Sequence, residues 1–187
     1  MPKMNKLKIK LFADGANLDG MLSLYKDPNI KGFTTNPTLM KKAGITDYEK
    51  FAKQVLLEIP DRPVSFEVFA DDLDDMFVQA KTIASWGSNV NVKIPVTNTK
   101  GEFTGPIIKE LSVAGVQLNI TAVFTPAQVK AIVENLSQDT PAIVSVFAGR
   151  IADSGLDPMP IMRECVEILK DSPKAELLWA SPRELLN

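Results

Sequence analysis

The chain has 187 residues, 45% hydrophobic and 24% charged, with a formal net charge of -2. This balance suits one soluble domain, residues 1–187, with a sizeable core, and argues against nucleic acid or an anionic membrane as the main partner. The chain has a single cysteine and no histidine, which excludes a disulfide framework, Ser-His and Cys-His nucleophile pairs, and imidazole ligands for a catalytic metal.

The opening "MPKMNKLKIK" is basic but lacks the long apolar region of a secretory signal. No apolar run is long enough to span a bilayer. The lone Cys165 falls on the apolar face of "IMRECVEIL" and reads as a small buried hydrophobe, so a reducing, cytoplasmic setting is expected.

In chain order the strands read Lys8–Ala13, Gly32–Asn36, Val64–Ala70, Val90–Val96, Gln117–Val123, Ala142–Ala148 and Glu176–Ser181. Helical periodicity lies between them, as in "DDMFVQAKTIASWG" and "PIMRECVEILK". Asn36, Thr125, Asp157 and Ser181 each precede a proline, the pattern of a helix cap followed by a first-turn proline. Thr125 and Ser181 also fit capping boxes. Repeated strand–helix units imply a parallel sheet, either an open doubly wound sheet or a (β/α) barrel.

Side-chain parity favours the barrel. A parallel strand buried on both faces is nearly all apolar. Here one parity is polar: Ser65 and Glu67 oppose Val64, Phe66 and Val68, and Asn91 and Lys93 oppose Val90, Val92 and Ile94. Asn119 and Thr121 oppose Leu118, Ile120 and Ala122, and Ser145 and Phe147 oppose Val144 and Val146. Asp14, Thr34 and Asn36 stand at the ends of the first two strands. A barrel directs one face of every strand inward, with the active site at the C-terminal mouth. The expected pocket is lined by Asp14, Asn36, Glu67, Lys93, Asn119, Thr121 and Ser145.

One lysine among carboxylates, hydroxyls and amides points to amine chemistry. A lysine shielded from water loses its proton readily, and the neutral amine attacks a carbonyl to give a Schiff base. Carboxylates then move the protons. The structural alternatives are an ion pair of Lys93 with Glu67, helix capping by Asn36, polar filling by Asn119 and Thr121, and a turn role for Asp14. In "FAGRIADSG" Arg150 can hold a phosphate or pair with Asp153. Ser181 and Arg183 in "SPRE" supply a second anion cradle.

"FADGANL", "GFTTNPTL", "SFEVFA", "VKIPVT", "LNITAVF", "SVFAGRIAD" and "WASPRE" occur in the order found in transaldolases. The chain resembles the short bacterial type, close to fructose-6-phosphate aldolases. The resemblance implies a (β/α)8 TIM barrel of the class I aldolase type, with no metal and no cofactor. It implies that Lys93 forms the imine with C2 of a ketose phosphate and that Asp14 deprotonates the C4 hydroxyl. Glu67 and Thr121 would activate a water. Asn36 and Asn119 would hold the hydroxyls of a dihydroxyacetone unit, with Thr34 and Ser145 beside them. Arg150, Ser181 and Arg183 would take the phosphate. The implied reaction moves that unit from sedoheptulose 7-phosphate to glyceraldehyde 3-phosphate in the pentose phosphate pathway.

The alternatives are a fructose-6-phosphate aldolase using the same lysine, and an inactive sugar-phosphate-binding fragment. The aldolase branch tends to carry glutamine at Glu67, alanine at Ser145 and tyrosine at Phe147, so this chain follows the transferase pattern. Two departures stand out. Gly15 occupies a position that holds a hydroxyl residue in many relatives. The sequence also reaches "RELLN" without an eighth strand or a last helix. The resemblance further implies a homo-oligomer.

Overall fold

The computed structural model describes residues 8–182. Its elements are β1 (Leu11–Asp14), α1 (Leu18–Tyr25), β2 (Ile30–Thr34), α2 (Pro37–Lys42), α3 (Tyr48–Glu58), β3 (Val64–Glu67), α4 (Leu73–Ala84) and β4 (Val90–Pro95). They continue with α5 (Gly105–Val113), β5 (Leu118–Val123), α6 (Pro126–Val133), β6 (Ala142–Val146), α7 (Ala148–Asp153), α8 (Pro158–Leu169) and β7 (Ala175–Trp179). The strands follow chain order in the sheet, β1 through β7. Their registered pairings are parallel. Parallel strands in sequence order with helical crossovers make a (β/α)-barrel-type α/β fold, with seven strand units among the described residues.

The described residues divide into two compact units: one holds 8–67 with Ile83–Asn91, the other Val68–Thr82 with 92–182. In the first unit, Asn17, Asn36 and Asp47 cap α1, α2 and α3 by accepting from the backbone N–H groups of Gly20, Leu39 and Lys50. Val55, Ile59, Val64 and Phe66 have no exposed surface; each such side chain contributes about 1.5–3 kcal/mol by burial. Gly32 pairs with Phe12 across β1 and β2. A Cβ on Gly32 would lie 2.3 Å from the Phe12 ring, so the ring fills the space a side chain would take.

In the second unit every residue of β6 is buried, as are all residues of β5 except Ala122. The expected capping box of α6 is present: Thr125 accepts from the Gln128 N–H, and the Gln128 side chain accepts from the Thr125 N–H. Asp157 caps α8. Cys165 is fully buried on α8, and burial pushes its thiol up to about 11, as expected of an inert structural cysteine. The proposed cap at Ser181 depends on residues beyond 182 and lies outside the described residues.

The strand ends differ from the sequence reading by a few residues, for local reasons. β2 ends at Thr34 because Asn36 is committed to capping α2. β6 ends at Val146 because the chain turns at Phe147 into α7. The segment carrying Arg150 is therefore this short helix.

Candidate active site

In the first unit, Asp14 ends β1 and is exposed. It sits in register with Thr34, whose buried hydroxyl donates to Asp14 Oδ1 at 2.7 Å. The Gly15 N–H donates to the Thr34 carbonyl at 3.0 Å, closing the junction from the other side. An otherwise exposed carboxylate is thereby held by a buried neighbour. Asn36 is half-buried, and its Oδ1 accepts from the Leu39 N–H at 2.9 Å. The capping alternative for Asn36 is thus realised. Glu67 ends β3 half-buried, and its backbone carbonyl accepts from the Tyr48 hydroxyl at 2.9 Å.

Tyr48 is a residue the sequence reading missed. Its ring meets Trp86 edge-on with centroids 5.0 Å apart, and Phe66 at 6.1 Å. Burial pushes its phenol well above the usual tyrosine range. It ties α3 to the Glu67 end of β3. Nothing in "TDYEK" distinguishes a tyrosine with that task from a surface one.

In the second unit, Lys93 lies in the body of β4, half-buried, with its carbonyl accepting from the Val68 N–H at 3.1 Å. Its register partner on β5 is Asn119, and that of Pro95 is Thr121. Registered residues of parallel strands point to the same face, so Lys93 and Asn119 share one. Asn119 has no exposed surface, and its Oδ1 accepts from the Ser145 hydroxyl at 2.6 Å. That bond satisfies part of a buried amide and holds it in one orientation.

Thr121 is 2% exposed, and its Oγ1 has no hydrogen-bond partner. A buried orphan hydroxyl costs about 1–3 kcal/mol. Such a group makes chemical sense where a water or a substrate hydroxyl supplies the missing bond.

The backbone here is irregular. Ile120 pairs with Val144, but the next pair is Val123 with Val146. Thr121 and Ala122 together therefore oppose Ser145, which is a β-bulge. Ala122 takes φ +59°, a left-handed conformation uncommon for a residue with a side chain. The bulge corrects the parity read from the sequence: Val123, fully buried, continues the face of Leu118 and Ile120, whereas Ala122 is half-buried. No composition signal in "NITAV" marks a bulge.

Phe147 follows β6, and its N–H donates to the Val123 carbonyl at 2.8 Å. The exposed Arg150 places its guanidinium carbon 5.0 Å from the centre of the Phe147 ring. Phe124 meets the same ring edge-on, with centroids 5.5 Å apart. Ser181 follows β7, half-buried at φ +58°. Its neighbour Ala180 donates to the Val146 carbonyl at 2.8 Å and accepts from the Gly149 N–H at 3.3 Å. Arg183 lies outside the described residues. Among those described, no helix is long and apolar enough to cross a membrane.

The chain matches the family model of Transaldolase/Fructose-6-phosphate aldolase over residues 11–187. It is 39% identical over 163 residues to a protein of Dehalococcoides mccartyi named "Probable transaldolase", covering 87% of this chain and 72% of that one. A protein of the same name from Syntrophobacter fumaroxidans is 33% identical over 182 residues, covering 96% and 79%. One from Nitrosopumilus maritimus is 33% identical over 94% of this chain and 75% of its own. Likeness to solved structures is of fold alone: one from Burkholderia cenocepacia J2315 aligns with a TM-score of 0.51 at 12% identity, over 90% of this chain and 86% of that one.

Proposed function

The chain belongs to the transaldolase/fructose-6-phosphate aldolase family, and from that premise we propose that it is a transaldolase acting through a Schiff base on Lys93. The carrying observation is the register of Lys93 beside the buried Asn119, itself held by Ser145. An amine next to a fixed amide and hydroxyl suits a polyhydroxylated ketone: the amide and hydroxyl take sugar hydroxyls while the amine takes the carbonyl carbon.

The steps follow from the chemistry. The Lys93 lone pair adds to C2 of a ketose phosphate such as sedoheptulose 7-phosphate, and the carbonyl oxygen gains a proton. Loss of water gives the iminium. Removal of the C4 hydroxyl proton then breaks the C3–C4 bond, and its electron pair moves into the iminium to give an enamine. The first aldose phosphate leaves, and the enamine adds to the aldehyde carbon of an acceptor such as glyceraldehyde 3-phosphate. Water releases the new ketose and restores the amine.

The roles of the remaining residues come by resemblance: Asp14 for the C4 proton, Glu67 and Thr121 for water, Asn36 and Thr34 for hydroxyls, and Arg150, Ser181 and Arg183 for phosphate. The orphan hydroxyl of Thr121 supports the water role, since it has a bond to give and receive. Phe147 supports transfer over simple cleavage: a phenyl ring has no proton to quench the enamine, which then waits for an aldehyde.

The test is trapping. Incubation with fructose 6-phosphate and borohydride should leave a reduced Schiff-base adduct on Lys93, found as a mass increase by peptide mapping. Folded protein that yields no adduct overturns the reading. Free dihydroxyacetone formed without an acceptor aldehyde would favour the lyase.

A further inference from the structure

Arg150 is exposed, and a solvated arginine samples many rotamers that binding must freeze. What restrains it is the face of Phe147, 5.0 Å from the guanidinium carbon. A cation is steered by a ring only if the ring itself is held. The backbone of Phe147 is held by its bond to the Val123 carbonyl. Its ring is met edge-on by Phe124 at 75°.

Phe124 is otherwise hard to account for. It is 39% exposed, a large apolar side chain left partly in water at the end of β5. Yet its position is well defined. Its N–H donates to Gln128 Oε1 at 2.8 Å, the same oxygen that closes the capping box of α6. A chain of contacts therefore runs from the start of α6 through Phe124 to Phe147 and Arg150, all within the second unit.

We infer that Phe124 is a positioning residue for the phosphate of the sugar: it braces the Phe147 ring on which Arg150 lies, and so presents the guanidinium already oriented. The inference rests on the proposed phosphate role of Arg150. It separates Phe124 from simple packing because a brace for the phosphate ligand matters only when the substrate carries a phosphate.

The experiment compares fructose 6-phosphate with fructose as donor, with unphosphorylated erythrose as the acceptor in both arms. Phe124→Leu should raise KM for fructose 6-phosphate about three- to fivefold at nearly constant kcat. The parameters for fructose should not move, and Phe124→Tyr, which keeps the ring, should restore the phosphorylated donor. An equal loss on both donors, or an unchanged KM, overturns the inference. Phe124→Met repeats the test with a flexible apolar side chain should the leucine variant unfold.

Arg150→Ala distinguishes the two levels. If it abolishes the preference for fructose 6-phosphate while Phe124→Leu does not, the phosphate role stands and the brace falls. If Arg150→Ala changes nothing, the phosphate role fails and the brace falls with it. Binding of inorganic phosphate, followed by 31P line width, gives the same comparison without turnover: weaker binding in Phe124→Leu is expected, and unchanged binding overturns the inference.

Discussion

The family resemblance gives two asparagines the same task, and the two units treat them differently. Asn36 stands after β2 in the first unit and uses its side-chain oxygen to cap α2. Asn119 stands inside β5 in the second unit, without exposed surface, with Ser145 as its partner. The contrast extends to their neighbours. The first unit places its acid, Asp14, exposed at a strand end. The second keeps an amide and two hydroxyls buried in the strand bodies. A polar residue at a strand end always has a structural use open to it, as a cap or a turn. One buried in mid-strand has neither of these uses, and its desolvation must be offset by a partner or a ligand. Burial of polar groups is therefore the stronger pointer to chemistry.

The most severe way to test that contrast is to remove the amine. Lys93→Met should lower transfer by more than about a thousandfold, as loss of a covalent nucleophile does. Its thermal midpoint should change little, because methionine keeps most of the length of the apolar stem. Stopped transfer at unchanged folding puts Lys93 in the chemistry. A large fall in midpoint would make it a structural cation instead.

Next come the two asparagines together. Asn119→Ala leaves the Ser145 hydroxyl without its acceptor and opens a buried space. The expected cost is about 2–3 kcal/mol in denaturant unfolding, with transfer reduced by about a hundredfold. Asn36→Ala should cost only about 1 kcal/mol. Asn36→Asp, which still caps, should recover the stability. If its transfer rate recovers too, Asn36 is a cap and nothing more. If stability returns and activity does not, its amide nitrogen has the second role given to it by resemblance.

The same division explains what could be read in advance. The alternation of strands and helices, the caps at Asn36, Thr125 and Asp157, and the polar parity of β4 were legible because period, capping chemistry and proline placement are local. The bulge at Thr121 and Ala122 was not, because it arises from the pairing of β5 with β6, and "NITAV" alone reads as an unbroken strand. Tyr48 and Phe124 were missed for a related reason. Each acts through a partner distant in sequence: the Glu67 carbonyl for Tyr48, the Phe147 ring for Phe124. Arg150 was found by its residue type, but its helix and its ring were not.

The strained residue gives a smaller test within the second unit. Ala122 at φ +59° carries about 1 kcal/mol that glycine would not. Ala122→Gly should therefore raise the unfolding midpoint in spite of glycine's entropy in the unfolded chain. Unchanged transfer would mean that the bulge is fixed by its pairing. Transfer lowered at higher stability would mean that the strained alanine itself aims the Thr121 hydroxyl.

The smallest expected effect belongs to the first unit and is read by pH. Tyr48 is buried, and its phenol titrates above its ordinary value of 10.0 when folded. The folded state therefore holds the proton more tightly than the unfolded one. Its stabilising share is complete below pH about 10 and is lost as pH rises beyond that, since the unfolded chain ionises first. Tyr48→Phe removes both the titration and the bond to the Glu67 carbonyl. At neutral pH it should cost about 1 kcal/mol. Between pH 10 and 11.5 the gap to the parent protein should narrow, because only the parent still loses stability through this group. Any other group that titrates there does so in both proteins and cancels in the difference. A gap that stays constant with pH would mean that the phenol ionises as easily inside as out, and the bond to the Glu67 carbonyl would then account for the whole difference, since the ring packing against Trp86 and Phe66 is common to both proteins.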